Sequence, residues 1–217
     1  MGNKILLIGG GGNCRSIVDV LLENELYDAI GIVDKQIIDM SSFSKRIIYV
    51  GSDDDLNRLF SSGWDKAFVS LGSVGDSSKR RHIFSLIKKI GFSVPNIISE
   101  TAIVSKNASF GEGVFVSKGA VINTNSSIGD CSIINSNSVI EHDCIIGDFS
   151  HVSPGAVLCG GVHLGSDSHI GAGAIVKQYI TIGKSTIVGM GSVVTKNLDS
   201  NSLYYGNPCR LIKKVVK

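Results

Sequence analysis

His142 stands between two carboxylates in the stretch Ile140-Glu141-His142-Asp143-Cys144. A neutral imidazole takes up a proton near neutral pH, and an adjoining carboxylate fixes its tautomer and stabilises the imidazolium that forms. These are the parts of a general base; the plainer alternative is a solvated surface histidine. His151 and His169 lie 18 residues apart and His163 has the same phase on a neighbouring side. Exposed corner columns of this sort can line a groove between subunits; the plain reading, for His163 and His169, is polar residues at solvated turns. No pair has the His-x4-His spacing of an intersubunit zinc site, so no metal is expected.

Gly9–Gly12 is a second chemical feature. It follows the apolar run Lys4 to Ile8 and precedes a helical pattern over Ser16 to Glu25, where backbone N–H groups and a helix N-terminus can receive phosphate. A dinucleotide G-x-G-x-x-G signature fails here, because its last position would be Cys14 or Arg15. Asp34 closes the next apolar run, Ala29 to Val33, where an acidic residue can accept hydrogen bonds from a ribose or base. A tight strand-to-helix turn without a ligand is the competing reading.

The elements that must carry these residues fall into two grammars. Over the first 98 residues, strand and helix signals alternate: strands at Lys4–Ile8, Ala29–Val33 and Lys66–Leu71, helices at Ser16–Glu25, Asp53–Phe60 and Lys79–Ile90. Such alternation predicts a small parallel sheet with crossover helices, a Rossmann-like α/β domain with room for one mononucleotide-sized ligand. From 99 to 217 the rhythm is six. Every sixth residue from Val104 through Ile140 to Val194 is apolar, sixteen positions in a row, and four residues after each comes a mostly small set running from Ala108 to Leu198. Six residues make one side of a three-sided coil and 18 make a turn, with the large aliphatic pointing inward. A single coil cannot bury its inner face, so stacked coils build the core. This predicts a parallel β-helix, with the segment around Tyr204-Tyr205-Gly206-Asn207-Pro208 capping its open end. Prisms of this shape suit closed three-fold assembly.

Composition narrows the classes. The 217 residues carry a net charge of +2 with only 18% charged side chains, which gives no basic footprint for nucleic acid. The run Lys79-Arg80-Arg81 reads as a solvated helix face. No apolar stretch is long enough for a membrane span, and the apolar start is too short for a secretion signal. Five cysteines (Cys14, Cys131, Cys144, Cys159, Cys209) without C-x-x-C spacing read as reduced thiols of a cytoplasmic protein. Cys144, at a small-residue position, reads as packing; Cys159, in a Cys-Gly-Gly turn, reads as accessible.

The stretch from Ile133 to Ala156, with Asn135, Glu141-His142-Asp143, Gly147, His151 and Gly155, resembles the bacterial sugar acetyltransferases that include the PglD-type aminosugar N-acetyltransferases and the NeuD-type sialic acid O-acetyltransferases. The glycine loop, the Gly72 turn with Arg80 and the closing Gly206-Asn207-Pro208 extend the likeness over essentially the whole chain. The resemblance implies a left-handed β-helix, acetyl-CoA as donor, no metal, and a homotrimer with active sites between subunits. It implies His142 as general base, with Asp143 raising its basicity. His151 and the backbone N–H of Gly160 would meet the thioester, Ala172 and Met190 would line the pantetheine groove, and Asn135 would touch the sugar. Gly11, Gly12, Asn13, Asp34, Lys35 and Gly72 would form the nucleotide pocket. The expected acceptor is the amino group of a nucleotide-linked sugar, a UDP-4-amino sugar first. A sugar hydroxyl, as in sialic acid, is the alternative within the family, and a non-catalytic scaffold the alternative outside it. The chain departs from its relatives at Asn13-Cys14, where they usually have His, at Asp143, where some have Glu, and at Ser99-Glu100 in place of a His-Pro pair.

Overall fold

The computed structural model describes residues 3–36, 40, 44 and 46–215. The chain forms two compact units. One runs to Gly72 and resumes over Ser78–Ile97; the other combines Ser73–Ser77 with the chain from Ile98 onward.

In the first unit, β1 (Lys4–Ile8), β2 (Ala29–Val33), β3 (Ile47–Gly51) and β4 (Ala67–Val69) form a parallel sheet in the order β3-β2-β1-β4. Around it lie α1 (Gly12–Asn24), α2 (Leu56–Ser61) and α3 (Ser78–Ile90). The near-continuous apolar runs of β1 and β2 are buried, as a parallel strand covered on both faces requires. α1 starts four residues earlier than its aliphatic pattern suggests. Cys14 is fully buried and completes the inward stripe of Cys14, Ile17, Val18 and Leu21, so the thiol acts as an apolar residue. α3 corrects the reading of its basic run. Arg80 is buried on the stripe it shares with Ile83 and Ile87, whereas Lys79 and Arg81 are exposed. β3 carries no strong pattern of burial, which is why the sequence reading passed over it.

The second unit is a left-handed parallel β-helix. Two-residue strands recur every six residues from Ile103–Val104 to Val193–Val194. They stack in three columns of six, five and five strands, the last completed to eight by Ile97–Ile98 and a C-terminal hairpin, with a register step of 18, as in Ile133↔His151 and Ile134↔Val152. The second residue of each strand points into the prism, and from Val116 to Val194 all of these are buried. Serines of the small inward set are satisfied across the coil: the hydroxyls of Ser126, Ser132, Ser150 and Ser168 donate to the carbonyls of Glu141, Gly147, Gly165 and Gly183. A buried hydroxyl without such a partner would cost stability.

The corners follow a further rule. Every sixth residue from Gly113 to Gly191, fourteen in all, has a left-handed backbone with φ between 51° and 67°. Gly, Asn and Asp tolerate this conformation best and occupy most of these positions, but Cys131, Phe149, Tyr179 and Ser185 adopt it as well. Beyond the last coil, Ser202–Tyr205 pairs parallel with Ile187–Val188 and antiparallel with Arg210–Lys214. This hairpin extends the eight-stranded sheet and buries Tyr204.

Candidate active site

His142 and Gly160 occupy the same corner on successive coils, joined by the Gly161 N–H donating to the His142 carbonyl at 2.8 Å. The imidazole lies directly on Gly160. A Cβ built there would stand 2.5 Å from both Cε1 and Nε2, so only glycine admits the ring in this position. Asp143, the next residue, has φ of 60° at the left-handed corner and turns its carboxylate back onto the ring, with Oδ2 2.8 Å from His142 Nδ1. The hydrogen bond from His142, and after it one from Asn125 Nδ2, holds the Asp143 carboxyl below the usual carboxylate range. An ionised Asp143 fixes the proton on Nδ1 and leaves the Nε2 lone pair free to accept one.

Of the two carboxylates beside His142, only Asp143 meets the imidazole. Glu141 instead accepts the His142 backbone N–H at 3.3 Å and the Asn123 side-chain amide at 3.1 Å. The corner amides of Thr124 and Ser136 are likewise capped by the side chain just before them, Asn123 and Asn135. Cys159 precedes Gly160, and its side chain has no oxygen to offer. Among the described residues the Gly160 N–H has no acceptor, although the residue is buried beneath the imidazole. A buried amide N–H lacking a partner is a preorganised donor for a developing negative charge.

Asn135 and His151 form a separate cluster. His151 Nδ1 lies 3.0 Å from the Ser73 carbonyl, an acceptor, so Nδ1 carries the proton. Nε2 therefore accepts from the Asn135 amide at 3.2 Å, and Asn135 Oδ1 accepts the Ser136 N–H at 2.8 Å. A thioester that reaches His151 thus meets a ring with both nitrogens engaged. His169 stacks edge-on against it at 4.9 Å between ring centroids and corrects the expectation of a solvated turn, being only 8% exposed. The segment Ser73–Ser77 belongs to this unit: Ser73 meets His151, Ser77 Oγ bonds the Asp167 carboxylate, and Gly75 lies against Ile187. The burial of His169 itself, and secondarily His151, pushes the His169 imidazole down to about 4. His163 is exposed, as expected of a solvated position. Ala172 and Met190 stack on another corner, joined by the Gly191 N–H to the Ala172 carbonyl at 2.9 Å, and Met190 is 80% exposed. Cys144 is fully buried, with its thiol against the Cys159 carbonyl, and burial pushes it up to about 11; Cys159 is half-buried.

In the first unit, Gly11 and Gly12 are exposed at the start of α1, and no side chain caps that end. The Asp34 carboxylate is turned onto the loop itself, accepting the Gly10 N–H at 2.7 Å and the Gln36 N–H at 3.1 Å. Asn13, beside Gly72, donates to the Ser70 carbonyl at 3.1 Å. Lys35 is exposed and lines a cavity of about 560 Å³ with Asp34, Asp53 and His82. Asp53 and His82 were missed in the sequence: Asp53 follows β3, itself unread, and His82 carries no local signal.

A coiled prism with an imidazole lodged on a glycine, joined to a small parallel α/β unit, defines an acyltransferase of the hexapeptide-repeat class. Residues 4–87 match the PglD N-terminal domain family, and residues 125–160 and 143–178 match the bacterial transferase hexapeptide family. The fold superimposes with a TM-score of 0.89 on perosamine N-acetyltransferase from Caulobacter crescentus. That protein is 34% identical over 98% of each chain and was solved as a histidine-to-asparagine variant with CoA and GDP-perosamine. The acetyltransferase domain of PglB from Neisseria gonorrhoeae, in complex with acetyl coenzyme A, gives a TM-score of 0.87 at 27% identity, covering 98% of this chain and 100% of that one. WeeI from Acinetobacter baumannii shares the fold at a TM-score of 0.83 and 24% identity, over 96% of this chain and 99% of that one. No curated protein sequence matches the chain. The protein belongs to the PglD-type hexapeptide-repeat sugar acetyltransferases, and it is an acetyl-CoA-dependent sugar N-acetyltransferase. No helix among the described residues is long and apolar enough to cross a membrane.

Proposed function

We propose that the protein moves the acetyl group of acetyl-CoA onto the amino group of a nucleotide-linked sugar, with His142 as general base. A neutral amine attacks the thioester carbonyl, forming the C–N bond, and gives its proton to His142 Nε2. The oxyanion forms against the Gly160 N–H, and the C–S bond then breaks to release CoA as thiolate or thiol. The observation that carries this reading is the His142 pose: Nδ1 held by Asp143 at 2.8 Å while the Nε2 edge rests on Gly160, whose N–H has no acceptor among the described residues. An amine, as in the 4-amino sugars linked to UDP that the family resemblance implies, suits this base. The perosamine and PglB relatives, with CoA, acetyl coenzyme A and a GDP-linked amino sugar in their complexes, support both donor and acceptor class.

Residues 1–98 would then hold the nucleotide sugar, through Gly11, Gly12, Asn13, Asp34, Lys35 and Gly72, and residues 99–217 would carry the transfer. Asn135 and His151 would face the sugar and thioester, and Ala172 and Met190 the pantetheine. His142 and the pair Ala172–Met190 lie on different corners of one prism, so a groove serving both is best made between two copies. The outward face of the six-stranded sheet favours such packing, since it presents Ile103, Val121, Val139, Val157, Ile175 and Val193 in one column with Ile103 68% exposed. A homotrimer with shared sites fits these features, and the five free cysteines fit a reducing cytoplasm.

The test is CoA release from acetyl-CoA with a panel of nucleotide-linked amino sugars, for the wild type and His142→Ala. Loss of turnover in the variant with acetyl-CoA binding retained supports the assignment; full turnover removes His142 from the reaction.

A further inference from the structure

We infer that the nucleotide of the acceptor carries guanine, read by the carboxylate of Asp53. This rests on the nucleotide-sugar reading above and replaces uracil as the expected base.

The 560 Å³ cavity lies within the first unit, at the carboxyl ends of its strands. There β1 has β2 on one side and β4 on the other, and the connections diverge. Open parallel α/β sheets take their ligands at that point. Ile8, Val33, Leu71 and Ile83 give the cavity apolar walls suited to a flat heteroaromatic ring. A second cavity of about 670 Å³ adjoins it, and Lys35, Asp53 and His82 line both.

Two carboxylates line the first cavity, Asp34 and Asp53, and they differ in what they have left to offer. Asp34 is committed to the Gly10 and Gln36 amides. Asp53 opens the short 3-10 turn after β3, but the capping there is done by Ser52 and Asp55, which exchange reciprocal hydrogen bonds. The Asp53 carboxylate is left half-buried with no hydrogen-bond or ion-pair partner among the described residues. Lining the cavity with its acceptors unused, it is complementary to a ligand that brings donors.

A carboxylate offers acceptors only. Guanine presents N1–H and its 2-amino group side by side, two parallel donors for two oxygens. Uracil and thymine have a single N3–H flanked by carbonyls, so the second carboxylate oxygen would face another acceptor. Adenine and cytosine place an unprotonated ring nitrogen beside the amino group, with the same clash. A matched bidentate pair discriminates by about 1–3 kcal/mol, which is roughly five- to 150-fold in affinity.

The experiment is calorimetric titration of the full chain with GDP, UDP, dTDP, CDP and ADP, repeated with Asp53→Asn and with xanthosine diphosphate added to the series. Wild type should bind GDP about tenfold or more tighter than the others. An asparagine amide supplies one acceptor and one donor, so the variant should lose that preference. It should gain affinity for xanthosine diphosphate, whose 2-carbonyl accepts where guanine donates. UDP binding as tightly as GDP in the wild type overturns the inference, as does a variant that weakens every nucleotide alike, the signature of a merely structural Asp53. Failure of all the nucleotides to bind while acetyl-CoA still binds overturns the nucleotide-sugar reading along with it.

Discussion

The imidazole of His142 rests on the α-carbon of Gly160, one coil further along, with no room for a methyl group between them. Glycine at position 160 therefore leaves space for the base, while Cys159 before it leaves the Gly160 N–H without an acceptor among the described residues. Gly160 does not have the positive φ of the corner glycines, so its identity is dictated by this contact and not by backbone strain.

Gly160→Ala isolates that relationship. The backbone accepts alanine, but a Cβ 2.5 Å from Nε2 must push the ring away. Turnover should fall by roughly 10²-fold or more while the fold and the acetyl-CoA affinity change little. Circular dichroism and calorimetry check the second half; an alanine variant with wild-type turnover would show that the ring position is unimportant.

Asp143→Asn should separate charge from packing. The amide keeps the corner conformation but cannot stabilise the imidazolium electrostatically. kcat should fall while acetyl-CoA affinity holds, because the imidazolium formed in the transition state loses its carboxylate partner. Wild-type kcat in the variant would detach Asp143 from the base.

His169 makes an acid-sensitive contribution to stability. It is neutral in the folded protein down to about 4, against 6.5 for an ordinary histidine, so the unfolded chain binds more protons over that window. Its contribution is present above about pH 6.5 and disappears as pH falls through 4, amounting to about 3 kcal/mol when complete. Thermal melts should show Tm dropping between pH 7 and pH 5, and His169→Phe should shrink that drop. Equal acid sensitivity in the variant would place its origin elsewhere.

The thiols should sort by burial. Cys14 and Cys144 are sequestered and pushed up to about 11, whereas Cys159 and Cys209 are half-buried. Iodoacetamide at pH 8 should label Cys159 and Cys209 long before Cys14 and Cys144, as mapped by mass spectrometry. Prompt labelling of Cys144 would mean that its coil opens in the native protein.

Much of the prism was legible because its rule is local and repeats. An inward aliphatic at each sixth position must be buried wherever the coil forms, so periodicity alone located the core from Val116 to Val194. The left-handed corners leave a trace of the same kind, in the recurrence of Gly, Asn and Asp from Gly113 to Gly191. That trace also explains why Asp143 is where it is: the corner welcomes an aspartate, and the site uses it. In the α/β unit the buried runs of β1 and β2 were equally plain, while β3, half-exposed, was not.

Contacts between residues far apart in the chain were decided only in three dimensions. Ser73–Ser77 belongs to the prism unit and binds His151 from 78 positions away, and His169, outward by phase, is nonetheless buried. Asp34 folds onto its own glycine loop and leaves Asp53 as the unengaged carboxylate of the cavity. A repeating pattern states which way a side chain points, because backbone geometry sets that residue by residue. What it meets there depends on which other segment packs against it, and a distant segment leaves no mark in the local rhythm.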